Sequence, residues 1–180
     1  MREAILWTGR DDGTVVCSLC AHRCTIAKGR TGRCAVRRND DGRLVSLNYG
    51  STVAMNVDPI EKKPLFHFLP GTTAYSVASM GCNFRCRFCQ NHDISQGPRE
   101  NGAILGRPLT PAEAVTQARG AGCPTIAHTY TEPTIYMEWA LETARLSREA
   151  GLRTAFVTNG FMTARPWSSF CRILTPPTST

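Results

Sequence analysis

Three cysteines fall within one short run, Cys82-Asn83-Phe84-Arg85-Cys86-Arg87-Phe88-Cys89, a C-x3-C-x2-C spacing with an aromatic residue directly before the last thiol. Three thiolates on a loop this short can hold three corners of a [4Fe-4S] cube and leave the fourth iron open to a substrate or cofactor. Zinc is the alternative chemistry; a structural zinc site wants four protein ligands, and His92 is the nearest candidate for the fourth. A second group, Cys17-Ser-Leu-Cys20-Ala-His-Arg-Cys24 followed by Cys34, supplies four thiols with His22 in reserve. Four closed ligands suit either structural zinc or an additional iron–sulfur cluster, and the spacing does not choose between them. Cys123 and Cys171 stand alone, and Cys123 reads as a small buried hydrophobe.

Composition narrows the setting in which these thiols work. Nine cysteines in 180 residues is an odd number and too sparse for a disulfide-stapled miniprotein. Residues 1–10 mix Arg2, Glu3 and Arg10 into a short apolar stretch and show no secretory h-region. The uncharged stretch between Lys63 and Arg85 is broken by Pro64, Pro70 and Gly71 and does not read as a membrane span. The expectation is a soluble cytoplasmic protein without a membrane partner, whose clustered cysteines stay reduced and bind metal. The net charge of +7 points to an anionic ligand or partner without naming it. Six basic residues, Arg23, Lys28, Arg30, Arg33, Arg37 and Arg38, stand close together with no acid among them. Such a run offsets the negative charge of a thiolate-bound metal. Base-stacking aromatics are missing from it, which argues against a nucleic-acid partner.

The elements that must position the cysteines divide near Gly71. Before it, Asp40-Asp41-Gly42 joins extended pieces at 34–38 and 44–49 in the manner of a hairpin turn, and no helix is indicated. Residues 1–70 read as a small Cys-rich metal-binding lobe. After it, strands and helices alternate. Residues 74–79 form a strand running into the Cys82 loop. Thr110-Pro111-Ala112-Glu113 is a capping box opening a helix that ends by Gly120. Strands follow at 125–129 and 153–158, separated by a helix from Glu132 to Ala150 that stops at Gly151. This order predicts parallel βαβ units, an α/β architecture, and functional groups at the carboxyl ends of the strands.

Cys82 to Cys89 with its aromatic resembles the loop of the radical S-adenosylmethionine (SAM) superfamily. The longer stretch from Asp58 to Gly71, DPIEKKPLFHFLPG, followed by Gly81-Cys-Asn-Phe-Arg-Cys86 and Cys89-Gln-Asn91, resembles the AmmeMemoRadiSam-system radical SAM enzymes, relatives of the pyruvate formate-lyase activating enzymes. The resemblance implies that Cys82, Cys86 and Cys89 ligate a [4Fe-4S] cluster whose open iron takes the methionine part of SAM. It implies reductive cleavage of SAM to a 5′-deoxyadenosyl radical, with an electron from a low-potential donor such as flavodoxin or ferredoxin and a hydrogen taken from a protein or small-molecule substrate. Tyr130-Thr131-Glu132-Pro133 stands where the family carries a Gly-Gly-Glu element that holds the methionine ammonium, so Tyr130, Thr131 and Glu132 are expected to bind the cofactor. Asn159, in Thr158-Asn159-Gly160, is a further expected SAM contact, although Asn-Gly after a strand is also an ordinary turn. Asn91 and His92 can line the same pocket or serve as loop polar groups. His128 reads as a strand residue with a satisfied hydrogen bond.

The implied fold is an incomplete radical SAM partial TIM barrel, its N-terminal half at 71–163, behind the Cys-rich lobe. The resemblance stops at residue 163. Residues 164–180 hold three prolines and no acid, and they are expected to be an aberrant tail, read out of frame, of a shortened enzyme. Two competing readings of the whole chain are an inactive cluster-binding fragment and a metal-binding module that contacts nucleic acid.

Overall fold

The structure is a computed structural model and describes residues 1–166, 168 and 171. Its N-terminal part is built from short antiparallel strands. Strands β1 (Arg2–Glu3), β5 (Arg37–Asp40) and β6 (Arg43–Ser46) form one sheet in the order β1-β6-β5. The β5–β6 hairpin turns at Asp41 and Gly42, both with positive φ, the backbone that a two-residue hairpin loop requires. A second sheet runs β2 (Trp7–Gly9), β3 (Val15–Cys17), β4 (Thr25–Ile26). Strands this short carry little stability alone. They close around a small core of Val15, Leu19, Ile26 and Leu44, onto which Met137 packs from a later helix.

The second part is a four-stranded sheet in the order β12-β11-β9-β8. Strands β9 (Thr73–Ala78), β11 (Thr125–His128) and β12 (Arg153–Phe156) are parallel, as the alternation of strands and helices predicts. Between them run α2 (Pro111–Gly120) and, after a 3-10 turn at Pro133–Tyr136, α3 (Met137–Glu149). Helix α2 opens with the expected reciprocal capping box of Thr110 and Glu113. Both helices pack on one face of the sheet, where Trp139 and Tyr136 meet Val77 and Ile126. On the opposite face small side chains, Ala74 and Ala127, lie beneath Ile60, Leu65 and Phe68.

Two features were not anticipated. Strand β8 (Ala54–Pro59), which precedes Gly71, pairs antiparallel with β9 along its whole length, from Ala54 opposite Ala78 to Pro59 opposite Thr73. The segment before Gly71 is therefore joined to the parallel sheet by a continuous ladder, and β7 (Ser51–Thr52) likewise pairs with β10 (Arg107–Pro108). The second is helix α1 (His92–Glu100), which carries Gly97 and Pro98. Pro98 has no N–H, so the carbonyl of Ile94 lacks its usual helical donor. Gly81 N–H takes that carbonyl instead, at 2.9 Å. Gly97 in turn leaves space for Met80, whose Cε would lie 2.7 Å from a Cβ there. The helix is thus shaped to receive the chain as it leaves β9.

The histidine expected to be hydrogen-bonded is not. His128 is fully buried on β11 with neither ring nitrogen partnered. Its ring instead packs edge-on to Phe156 and Trp139, at 4.9 and 5.7 Å between centroids. The hydrocarbon helix–sheet layer supplies no polar group, and burial pushes the imidazole down to about 3. Among the described residues no helix is long and apolar enough to cross a membrane. The expected aberrant tail at 164–180 lies for the most part outside the described residues.

Candidate functional site

The register of the parallel strands decides where the site is. Val77, His128 and Phe156 lie in one row, so the three segments that follow leave the sheet side by side at its carboxyl edge. Those segments carry Cys82–Cys89, Tyr130–Glu132 and Thr158–Gly160. Side chains then tie the three exits to one another. Thr131 Oγ1 donates to Ser79 O at 2.7 Å, and Asn91 Nδ2 donates to Tyr130 O at 3.0 Å. Asn159 Nδ2 donates to Asn83 Oδ1 at 2.8 Å.

The cysteine loop is braced from below by α1. Gln96 Nε2 donates to Phe84 O at 3.1 Å, Arg99 Nη2 donates to Cys82 O at 3.2 Å, and Ser95 Oγ lies 3.5 Å from Cys89 Sγ. Phe84 N–H points at Cys82 Sγ at 3.4 Å. A backbone N–H aimed at sulfur favours the thiolate, although burial, the larger effect, pushes the Cys82 thiol up. Cys82, Cys86 and Cys89 are all free and partly accessible, and Phe88 stands 87% exposed beside them. This is a donor set suited to an iron–sulfur cluster: three soft ligands on one loop, backbone support for sulfur charge, and an open side. His92, the candidate fourth ligand of the zinc alternative, lines a pocket with Cys86 and lies 3.4 Å from Glu100 and 3.9 Å from Asp93. Among the described residues no three Cys, His, Asp or Glu side chains, in either cysteine set, are grouped closely enough to hold a metal ion in this structure.

Glu132 is 3% exposed, and its carboxylate joins two strand ends. Oε1 accepts from Thr134 N at 3.0 Å, from Thr134 Oγ1 and from Thr158 Oγ1 at 2.6 Å. Oε2 accepts from Asn159 N at 2.8 Å. A carboxylate oxygen takes about two donors comfortably, so Oε2 is the atom with capacity to spare. Asn159 itself is held on both sides, by Asn83 and by Phe161 N at 3.0 Å on its Oδ1. Tyr130 behaves differently from its neighbours. It adopts positive φ, and its side chain leaves the strand ends for a buried polar group that the sequence did not point to. Its hydroxyl donates to Asp58 Oδ2, its ring lies under Lys63 Nζ at 4.5 Å, and Lys63 Nζ bonds Asp58 at 2.6 Å. Burial acts to raise the Asp58 carboxyl, and hydrogen bonds from Lys62, Lys63 and Tyr130 outweigh it, holding the group well below the ordinary carboxylate range. The only sequence signal for this group is Asp-Pro-x-x-Lys-Lys itself, with Asp and Lys five residues apart.

Four of the six other cysteines lie around one space. Cys17, Cys20, Cys24 and Cys34 line one small cavity together with Ile26 and Ile135. Burial pushes the Cys34 thiol up to about 11. The peptide carrying these cysteines contacts two of the three exits: His22 Nε2–H donates to Asn83 O at 2.9 Å, and its ring sits 4.8 Å from Phe161. Ala21 N–H donates to Phe161 O, Thr163 N–H donates to Leu19 O, and Cys20 bridges Met162. Of the basic run, Arg37 is buried against Glu138, while Arg38 and Lys28 pair with Asp40 and Asp41. Half of that charge is therefore already answered from within the chain.

The comparison with known proteins agrees with this arrangement. The radical SAM superfamily matches residues 76–172, more than half of the chain and past residue 163, where the resemblance was expected to end. An uncharacterized protein, MJ0808, from Methanocaldococcus jannaschii is 45% identical over 166 residues, which cover 92% of this chain and 49% of that protein. The chain thus spans about half the length of the curated relative it matches. With the cysteine loop, Glu132 and Asn159 gathered at the carboxyl ends of three parallel strands, this chain belongs to the radical SAM superfamily.

Proposed function

We propose that the chain is the N-terminal half-barrel part of an AmmeMemoRadiSam-type radical SAM enzyme, in which Cys82, Cys86 and Cys89 hold a [4Fe-4S] cluster and the neighbouring strand ends hold SAM. When bound, these two groups supply reductive cleavage of the sulfonium and so a radical that takes hydrogen from a protein or small-molecule substrate. The observation that carries the reading is the network at the strand ends, which ties the cysteine loop through Asn83 to Asn159 and through Asn159 to Glu132.

In this reading Glu132 presents Oε2 to the methionine ammonium while Oε1 stays committed to Thr134 and Thr158. Thr131 fixes the register of the Tyr130–Glu132 segment against Ser79, and Tyr130 contributes its backbone, since its side chain serves Asp58. Asn159 keeps the third strand end against the loop. Exposed Arg85, Arg87 and Phe88 flank the cysteines and suit an acidic, low-potential electron donor of the flavodoxin or ferredoxin kind. The protein works in the reducing cytoplasm.

The test is anaerobic reconstitution with iron and sulfide, reduction in the presence of SAM, and chromatographic detection of 5′-deoxyadenosine. Product formation that disappears in Cys86→Ala is the expected result. A four-iron chromophore that forms without any SAM cleavage overturns the proposal in favour of a cluster-binding fragment.

A further inference from the structure

Four of the six cysteines that the radical chemistry does not use, Cys17, Cys20, Cys24 and Cys34, line one small cavity. We infer that Cys17, Cys20, Cys24 and Cys34 form a structural site for one tetrahedral, thiolate-bound divalent ion of the zinc type, and that this ion fixes the peptide backing the Cys82–Cys89 loop.

The sequence spacing leaves zinc and a second iron–sulfur cluster open; the cavity distinguishes them. Its free volume is about 20 Å³, room for one body of roughly a water's size. A four-iron core, with eight heavy atoms, needs several times that. Besides the four cysteines the lining holds hydrocarbon, two arginines and His22, whose Nε2 is engaged with Asn83 O, so the donors offered are the four soft ones, which select zinc among abundant divalent ions over magnesium or calcium. Four ligands with no open position are the signature of a structural site. Gly32 keeps the space clear: a Cβ there would lie 3.5 Å from Cys24 Sγ and 3.2 Å from Ile26 Cδ1. Arg33 lines the same cavity and offsets part of the charge that four thiolates bring, while Arg37, which also lines it, is already paired with Glu138. In the present geometry the four cysteines line the cavity without forming a group close enough to hold an ion, so binding requires the thiols to draw inward.

The surrounding architecture needs such a tie. Strands β2, β3 and β4 have three, three and two residues, too few for independent stability. Yet this same segment supports the radical site: His22 holds Asn83 O, and the close packing of Gly81 on Val36 and the Cys34 carbonyl leaves no room for a Cβ. An ion that joins Cys17 to Cys34 therefore sets the surface on which the cluster loop rests.

The experiment removes the radical site first. The full chain carrying Cys82→Ala, Cys86→Ala and Cys89→Ala, purified from medium containing both metals, is analysed for zinc, iron and sulfide. The expected result is about one zinc per chain and only traces of iron, with the zinc lost on adding Cys24→Ala. Replacement by cobalt should give the visible bands of tetrahedral Co(II)–thiolate, and chelation should lower the melting midpoint by about 10 °C. A folded triple variant that binds neither metal overturns the site, and iron with sulfide in about a four-to-four ratio overturns the single-ion assignment. Because this variant has no Cys82 loop ligands, its result is independent of whether SAM is cleaved. The coupling is read separately, with Cys82, Cys86 and Cys89 intact: Cys24→Ala should lose reconstituted iron to a chelator at least threefold faster, and an unchanged rate overturns the backing role.

Discussion

Replacing Glu132 separates what its carboxylate does for the fold from what it offers a ligand. In Glu132→Ala four donors lose their acceptor: Thr134 N–H, Thr134 Oγ1, Thr158 Oγ1 and Asn159 N–H. They do not weigh equally. Thr134 is fully buried, so its N–H is left unsatisfied at a cost of about 1–3 kcal/mol. The hydroxyls can turn, and Asn159 N–H is near enough to solvent to recover a water. Adding the lost charge-assisted bonds, which contribute about 1.5–3 kcal/mol apiece before such recovery, gives a destabilisation of about 3 kcal/mol. Glu132→Gln keeps an acceptor for Thr134 and Thr158 but turns an amide N–H against Asn159 N–H, a donor against a donor, for about 1.5 kcal/mol. Urea unfolding followed by far-ultraviolet circular dichroism, under anaerobic conditions at neutral pH, reads both values. A Glu132→Ala midpoint equivalent to within about 0.5 kcal/mol of the parent would refute the view that this carboxylate joins β11 to β12.

Gly81→Ala should destabilise by about 2–4 kcal/mol, since Gly81 has φ +106 and a Cβ there would meet Val36 Cγ1 at 2.7 Å; a thermal melt checks it. Arg37→Leu leaves the Glu138 carboxylate buried and unpaired, for a loss of about 3–5 kcal/mol, and the double replacement Arg37→Leu/Glu138→Leu should recover most of it in the same urea titration. His128 makes stability acid-sensitive. Its folded pKa, about 3, lies below the ordinary 6.5, so the unfolded chain binds the extra proton, and stability present above 6.5 is lost as pH falls toward 3. By about pH 5.5 the loss is about 1.4 kcal/mol relative to pH 8, and His128→Phe should remove that increment from the pH profile of the urea midpoint.

The residues that announce themselves in sequence are those whose local chemistry is self-sufficient. Thr110 and Glu113 cap a helix by themselves, Asp41-Gly42 turns a hairpin by itself, and three cysteines on one loop need no distant partner to be recognised. Helix α1 stayed hidden because Gly97 and Pro98 are helix breakers locally; only Met80 and Gly81, which occupy the space and the carbonyl they release, explain them. The same holds for β8, whose pairing with β9 is a property of the sheet, and for Asp58 and Lys63, which acquire a purpose from Tyr130 more than sixty residues away. Glu132 is legible in sequence only as a residue at a strand end, and its bonds to Thr158 and Asn159 depend on the level register of β11 and β12. Periodicity placed His128 on its strand but could not say that the layer above it would be aromatic and without a polar partner.

The contacts of Cys20 and Leu19 with Met162 and Thr163 also impose an order on biosynthesis. They close a loop of more than 140 residues, at an entropic cost of about 4 kcal/mol, and cannot form until the ribosome has passed that point. At about 5–20 residues per second, roughly 6–26 s separate the synthesis of Cys34 from that of Met162. By the end of that interval eight thiols, from Cys17 to Cys123, share one unfinished polypeptide. On the assignment proposed above, with one metal for each set, delivery has to precede any exchange of partners between the sets, so the fidelity of maturation would rest on kinetic sorting as well as on the finished geometry.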